Sequence, residues 1–213
     1  MKECANFGIT VLCSTVTTWE TGTLSSSPDI ICLKYTVPVS LRLELDYVEL
    51  VKSLNFDHFF ERSARYTAYF GDVPYTYGGT THSTHPIESN VYIYKAKKLI
   101  KSLFPVVDVN SVLVNYYPRS SSFLPFHADD ESEIAASSFI VTLSLGSSRQ
   151  IAFRRKSRGP VMCKVMLESW DLLFFSKSSQ SYFLHSIVPG MSSPGPDSSR
   201  ISLTFRYLNN VDN

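Results

Sequence analysis

In the run Phe126-His127-Ala128-Asp129 a histidine and an aspartate stand two residues apart. Side chains at i and i+2 of an extended chain project to the same face, so an imidazole nitrogen and a carboxylate oxygen there can reach one ion. His185, in YFLHSIVPG, is a candidate third donor arriving from a distant strand. Two imidazoles and a carboxylate form a facial ligand set that leaves three positions of an octahedral Fe(II) open for a chelating co-substrate and dioxygen. Short triplets of this kind arise often by chance, and an isolated histidine near a strand is more often a satisfied polar residue. The surroundings therefore carry the weight.

Two such surroundings stand out. In the run 200–207 the apolar residues Ile201, Leu203, Phe205 and Tyr207 alternate with Arg200, Ser202, Thr204 and Arg206. A solvated strand face would read this way, but two arginines and two hydroxyls on one face also make a floor for a small dicarboxylate, since arginine offers paired donors to carboxylates. Upstream, Asn115 and Tyr117 share a face at the end of the strand that leads toward His127, and can bond the same small anion.

Elements must hold these groups in place. Alternation predicts extended chain over 34–45, and Asp46 followed by Glu49 reads as an N-cap with an acidic partner, opening a helix whose apolar side is Val48, Val51 and Leu54. A strand is expected around 63–70, with Ala64, Tyr66, Ala68 and Phe70 on one face. The stretch 71–86, GDVPYTYGGTTHSTHP, is read as a long irregular loop, of the kind that often carries function, with His82 and His85 at its surface. Helical spacing of Tyr92, Ala96, Leu99 and Leu103 predicts a helix over 88–103, stopped by Pro105. Strands follow at 111–117, 138–145, 150–155, 161–167, 170–176, around His185 and at 200–207. Two helices ahead of six or more short strands predict an α+β fold with a double-sheet, jelly-roll β core. Residues 1–33, rich in Ser and Thr, are expected to form an N-terminal arm ahead of one domain over 34–213, consistent with a chain of 213 residues.

A net charge of +1 argues against a protein that holds nucleic acid by bulk electrostatics, so any such role must reside in a local site. One basic cluster exists: Arg149, Arg154, Arg155, Lys156, Arg158 and Lys164. It reads equally as a phosphate grip or a solvated hairpin. Cys4, Cys13, Cys32 and Cys163 form no C-x-x-C pair and are expected to be reduced thiols. No secretory signal and no membrane-length apolar run is present, so a soluble, intracellular protein is expected, of unspecified compartment.

Taken together, NYYPRSSSFLPFHADDE, an apolar strand, LHSIVPG and RISLTFR resemble the AlkB family of Fe(II)/2-oxoglutarate dioxygenases, which repair alkylated bases by oxidative demethylation. The resemblance runs in order over about 35–208 and is strongest over 112–207. It implies a double-stranded β-helix core, with Fe(II), 2-oxoglutarate and O2 as cofactor and co-substrates. By position, it implies that His127, Asp129 and His185 bind iron and that Asn115 and Tyr117 contact 2-oxoglutarate. Arg200 would pair with the far carboxylate of 2-oxoglutarate, and Arg206 matches the arginine particular to this family. Ser202 stands where many members carry Asn, which implies weakened rather than abolished co-substrate binding. Glu131 matches the acidic position that meets the damaged base. YTYGG resembles the family's substrate lid, implying base stacking on Tyr77 and a contact from Tyr75, and it turns 71–86 into a lid. Arg154 and Arg155 would lie near the phosphates. The implied activity is removal of N-alkyl groups of the 1-methyladenine and 3-methylcytosine type from DNA or RNA, by a monomer that engages no membrane. Two rivals remain: a 2-oxoglutarate-dependent hydroxylase or demethylase of a protein substrate, and a catalytically silent jelly-roll binding module. Arg206 and Glu131 weigh against the first, and the complete ligand set against the second.

Overall fold

A computed structural model describes residues 2–4, 9–12, 32–42, 46–157, 159–190 and 198–209. Three short strands begin the chain: β1 (Lys2–Cys4), β2 (Ile9–Leu12) and β3 (Cys32–Thr36). Helix α1 (Tyr47–Ser53) starts at Asp46, whose Oδ1 accepts from the backbone N–H of Val48 and Glu49, as the capping pattern predicts. Its buried residue is Leu50, whereas Val48 is exposed. Of the expected apolar side, Leu54 at the C-cap is buried and Val51 packs partly buried against the core, while Val48 alone points outward and Leu50 takes its place.

Next come β4 (His58–Phe60), β5 (Arg65–Gly71), β6 (Tyr75–Tyr77) and β7 (Thr80–His82). The stretch expected to be irregular is thus a hairpin, with Tyr77 paired to Thr80 across Gly78 and Gly79. Both glycines have positive φ, +58° and +79°, as a two-residue turn matched to strand twist demands. His82, expected at the surface, is buried, and its Nδ1 lies 2.8 Å from Asp57 Oδ2. Helix α2 (Val91–Leu103) begins three residues later than expected, after a 3-10 turn, with Asn90 as its N-cap. The Asn90 amide also donates to Ser53 Oγ at 3.0 Å, joining the two helices.

The remaining strands are β8 (Ser111–Tyr117), β9 (Leu124–His127), β10 (Phe139–Gly146), β11 (Arg149–Arg155), β12 (Cys163–Leu167), β13 (Asp171–Ser176), β14 (Phe183–Ile187) and β15 (Arg200–Arg206). Every pairing is antiparallel. The larger sheet runs β1-β2-β3-β13-β10-β15-β8-β5-β4, and the smaller β12-β11-β14-β9. The jelly roll is β8 to β15, four strands in each sheet, and β1 to β5 extend the larger sheet at its two edges. In the expected N-terminal arm, β2 pairs with β3 and β1 with β2, and residues 13–31 lie outside the described residues.

Alternation along β15 builds two cores. Ile201, Leu203 and Phe205 face the helices, where they meet Leu50, Ile93, Ala96 and Ile100. The polar residues Arg200, Ser202, Thr204 and Arg206 face inward between the sheets, and all four are buried. A solvated face is thereby excluded. The inter-sheet core is closed by Leu113, Ile140, Ile151, Phe153, Leu173 and Phe175. Cys163 is disulfide-bonded and Cys32 is free and buried, so the expectation of four reduced thiols does not hold.

Candidate active site

The metal-type cluster forms where the smaller sheet faces the inter-sheet core. β9 carries His127 and β14 carries His185, and the antiparallel register sets the two residues opposite each other. Their ring centroids are 4.1 Å apart. Asp129 follows two residues after the end of β9, and the ligand-type atoms of all three residues lie within 4.8 Å of one another. His127 Nδ1 lies 2.9 Å from the Pro125 carbonyl. That contact puts the proton on Nδ1 and leaves Nε2 as the lone-pair nitrogen, 3.5 Å from Asp129 Oδ1. His185 stacks on Phe175 at 4.9 Å. Burial, with His127 beside it, lowers the His185 pKa to about 3, so its ring is neutral and able to ligate at physiological pH.

Burial alone would raise the Asp129 carboxyl, but the Arg206 guanidinium and the two imidazoles hold it well below the usual carboxylate range. Arg206 Nη2 donates to Oδ2 at 2.7 Å, while Oδ1 is buried with no hydrogen-bond partner among the described residues. A buried ionised oxygen left unpaired is costly, and a cation between Oδ1 and the two imidazoles relieves it. The donor set therefore fits a divalent iron. It is a 2-His-1-carboxylate set.

An inner cavity of about 30 Å³ adjoins this cluster, lined among others by Asn115, Tyr117, Arg200, Ser202 and Arg206. The β8–β15 register places Arg200 opposite Tyr117 and Ser202 opposite Asn115. Arg200 is fully buried and its Nη2 donates to Ser144 Oγ at 2.9 Å, but its Nε and Nη1 and the Tyr117 hydroxyl make no well-formed hydrogen bond among the described residues. Unpaired donors around a cationic centre match a small dicarboxylate such as 2-oxoglutarate in charge and hydrogen bonding, although the lining side chains must draw apart to admit one.

The other side of the cluster opens on a cleft of about 570 Å³ lined by His58, Phe59, Phe60, Arg62, Arg65, Tyr77, Glu131 and others. Tyr77, Leu124 and His127 line both spaces, so His127 lies at the junction between them, while Asp129 and His185 line the inner cavity. Tyr77 meets His127 edge-on, with centroids 6.1 Å apart at 82°. Tyr75 lies behind it, stacked on Tyr69 and Tyr77, with the Arg206 guanidinium 5.3 Å over its ring, and it does not line the cleft. Glu131 is half-buried, and burial together with the Asp129 charge raises its pKa.

The basic cluster divides. Arg149 is buried, and its guanidinium donates to the carbonyls of Ser148, Arg119 and Ser198. It braces loops rather than offering a phosphate contact. Arg154 lies 4.4 Å over Phe126, next to His127, and exposed Arg155 lies 5.6 Å over Phe183. Lys156 pairs with Asp130, and Arg158 is outside the described residues.

Sequence reasoning passed over Arg65 and Gln180. Arg65 is buried on β5, donates through Nη1 to Asn115 Oδ1, and lies 4.2 Å over Phe60. That bond turns Oδ1 toward Arg65 and leaves the Asn115 NH2 as the group able to donate toward the inner cavity. A charged residue inside the otherwise apolar run 64–71 was the available signal. Gln180 accepts from the backbone N–H of Asp129. Nothing in the serine-rich run 176–181 marks it.

A jelly roll with two histidines and a carboxylate facing one another between its sheets defines a non-haem iron oxygenase fold. The family described as the 2OG-Fe(II) oxygenase superfamily matches residues 57–206, and the chain belongs to it. Fe(II), 2-oxoglutarate and O2 are therefore its cofactor and co-substrates. The AlkB resemblance is matched among curated proteins. The chain is 28% identical over 152 residues to the Alpha-ketoglutarate-dependent dioxygenase alkB homolog 3 of Bos taurus, covering 68% of this chain and 51% of that protein. It is 29% identical over 155 residues to the DNA oxidative demethylase ALKBH2 of Homo sapiens, covering 68% and 56%. The chain thus spans about half the length of the curated relatives it matches. Its fold is similar to the structure of OsALKBH1, with a TM-score of 0.51 and 19% identity, over 75% of this chain and 89% of that one. Among the described residues, no helix is long and apolar enough to cross a membrane.

Proposed function

We propose that this chain oxidatively removes N-alkyl groups of the 1-methyladenine and 3-methylcytosine type from bases in DNA or RNA. The observation that carries this reading is the cluster of His127, Asp129 and His185, whose His127 stands at the junction of two spaces. One is lined by unpaired cationic and hydroxyl donors, and the other is an open cleft with aromatic walls. The name of one relative, a DNA oxidative demethylase, supports the same substrate class.

When bound, iron with 2-oxoglutarate and O2 supplies oxidation of the N-methyl carbon, with succinate, CO2 and formaldehyde as products. The chain's own residues do the rest. His127, Asp129 and His185 hold the metal, and Arg206 occupies one carboxylate oxygen so that Asp129 stays ionised with the other oxygen available. Arg200 pairs with the far carboxylate of 2-oxoglutarate, assisted by Tyr117, Ser202 and the Asn115 amide. Phe175 and Leu173 give the inner cavity an apolar wall. A flipped base enters the cleft and stacks on Tyr77 beside His127, with Glu131 meeting its edge. Arg154 and Arg155 meet the phosphates.

The test supplies Fe(II) and 2-oxoglutarate with oligonucleotides carrying 1-methyladenine or 3-methylcytosine, in both DNA and RNA form. Formaldehyde and succinate are expected in equal amounts from at least one substrate, and Asp129→Ala should release neither. The reading is lost if none of the oligonucleotides yields formaldehyde, or if the variant retains turnover.

A further inference from the structure

The three donors are not held in the same way. His127 and His185 face each other across the β9–β14 ladder, so sheet pairing sets their separation. Asp129 lies beyond the end of β9, with no rung of that ladder left to position it. Its backbone N–H instead donates to the side-chain oxygen of Gln180 at 3.1 Å, in a buried bond. Gln180 sits on the 3-10 turn Ser178–Ser181, which runs directly into the strand carrying His185.

That amide is itself fixed. Gln180 Nε2 donates to Ser179 Oγ at 3.2 Å, and Ser179 Oγ donates to the Ser176 carbonyl at 2.8 Å. Ser179 N–H donates to Ser176 Oγ at 3.1 Å. Ser179 and Gln180 are both buried. The nitrogen end is held by a hydroxyl anchored at the end of β13, so the oxygen end has one direction, toward Asp129.

We infer that Gln180 is a positioning residue that replaces the missing ladder rung, holding Asp129 at the distance from His185 that a shared metal ion requires. This rests on the reading of the three side chains as metal ligands. Arg206 fixes which carboxylate oxygen is available, and Gln180 fixes where the backbone beneath it lies. Partners that orient a ligand without touching the metal typically contribute about 10–100-fold to metal affinity.

The experiment is Co(II) titration of the purified protein in the absence of oxygen, followed by the visible absorption of the bound ion, with thermal melting of the metal-free protein alongside. Gln180→Met keeps the volume and removes the acceptor. It should raise the Co(II) Kd by about 10–100-fold and alter the absorption bands. Ser179→Ala leaves the acceptor and frees the amide, and should weaken binding by a smaller factor. If Gln180→Met does not fold, Ser179→Ala decides. The inference is overturned if the variants bind Co(II) with the wild-type Kd and spectrum, including the case in which only the melting temperature falls, because that is a purely structural role. A wild-type protein that takes up no Co(II), or an Asp129→Ala variant that binds as tightly, overturns the metal-site reading itself and this inference with it.

Discussion

Arg206 Nη2 lies 2.7 Å from Asp129 Oδ2, and both side chains are 3% exposed. One guanidinium thus neutralises a carboxylate deep between two sheets while leaving its second oxygen, Oδ1, unpaired. Removing one partner of such a pair strands a buried charge. Arg206→Met should cost about 3–5 kcal/mol in urea denaturation of the metal-free protein, and adding Asp129→Asn should recover much of it. A single-variant loss under about 1 kcal/mol would show that the Asp129 charge is compensated elsewhere.

Acid should destabilise the metal-free protein through His185. Its folded pKa is about 3 against an ordinary histidine value of 6.5, because burial excludes the charged form. Between those values the unfolded chain binds the extra proton, so stability falls as pH drops below about 6.5 and continues to fall toward 3. At pH 4.5 the loss from this one group is about 2–3 kcal/mol relative to neutral pH. Denaturation at both pH values, in wild type and His185→Gln, isolates it. The variant should show a shallower decline, and parallel declines would refute the assignment.

Arg200 provides the fixed donors toward the inner cavity. A charge-assisted hydrogen bond contributes about 1.5–3 kcal/mol, so Arg200→Lys should raise KM for 2-oxoglutarate by about 10–100-fold. Succinate formation measured against 2-oxoglutarate concentration reads this directly. An unchanged KM would place the co-substrate elsewhere.

Tyr77 walls the open cleft beside His127. Stacking of a base on an aromatic ring contributes about 1–3 kcal/mol, so Tyr77→Ala should weaken oligonucleotide binding roughly 10–100-fold, while Tyr77→Phe keeps it. Fluorescence anisotropy with a labelled methylated strand gives the comparison. Equal loss in both variants would point to the hydroxyl instead of the ring.

Under the proposed function, Arg154 and Arg155 meet the phosphates, a role that buried Arg149 cannot take. Replacing both with Gln should weaken binding to every sequence alike and reduce the slope of log K against log salt by about 1–2. An unchanged slope would make this end of β11 an ordinary solvated surface.

Much of the site was legible because its parts are local patterns. Alternation in 200–207 sorted Arg200 and Arg206 from Ile201 and Leu203 before any partner was known, and i, i+2 spacing paired Asn115 with Tyr117. Asp46 announced its helix by side-chain chemistry within the next three residues. Where the pattern was read and the structure differs, long-range packing is the reason. The hairpin at 75–82 has too few residues to show a period, and Val48 lost its expected place to Leu50 because the sheet, not the helix, chose the face. His82 and Arg149 look like surface residues until Asp57 and three backbone carbonyls surround them.

Taken alone, the sequence determined the residue types, the strand alternation and the motif order, and through them the fold class and the donor set, since these depend on spacing along one stretch of chain. Only the tertiary structure decided that β14 lies beside β9, that the polar face of β15 is sealed inside, and that Arg65 and Gln180 hold Asn115 and Asp129. Those relations join residues about 50 positions apart. No local spacing encodes them, because they arise when two sheets close on each other and every buried polar group must find a partner.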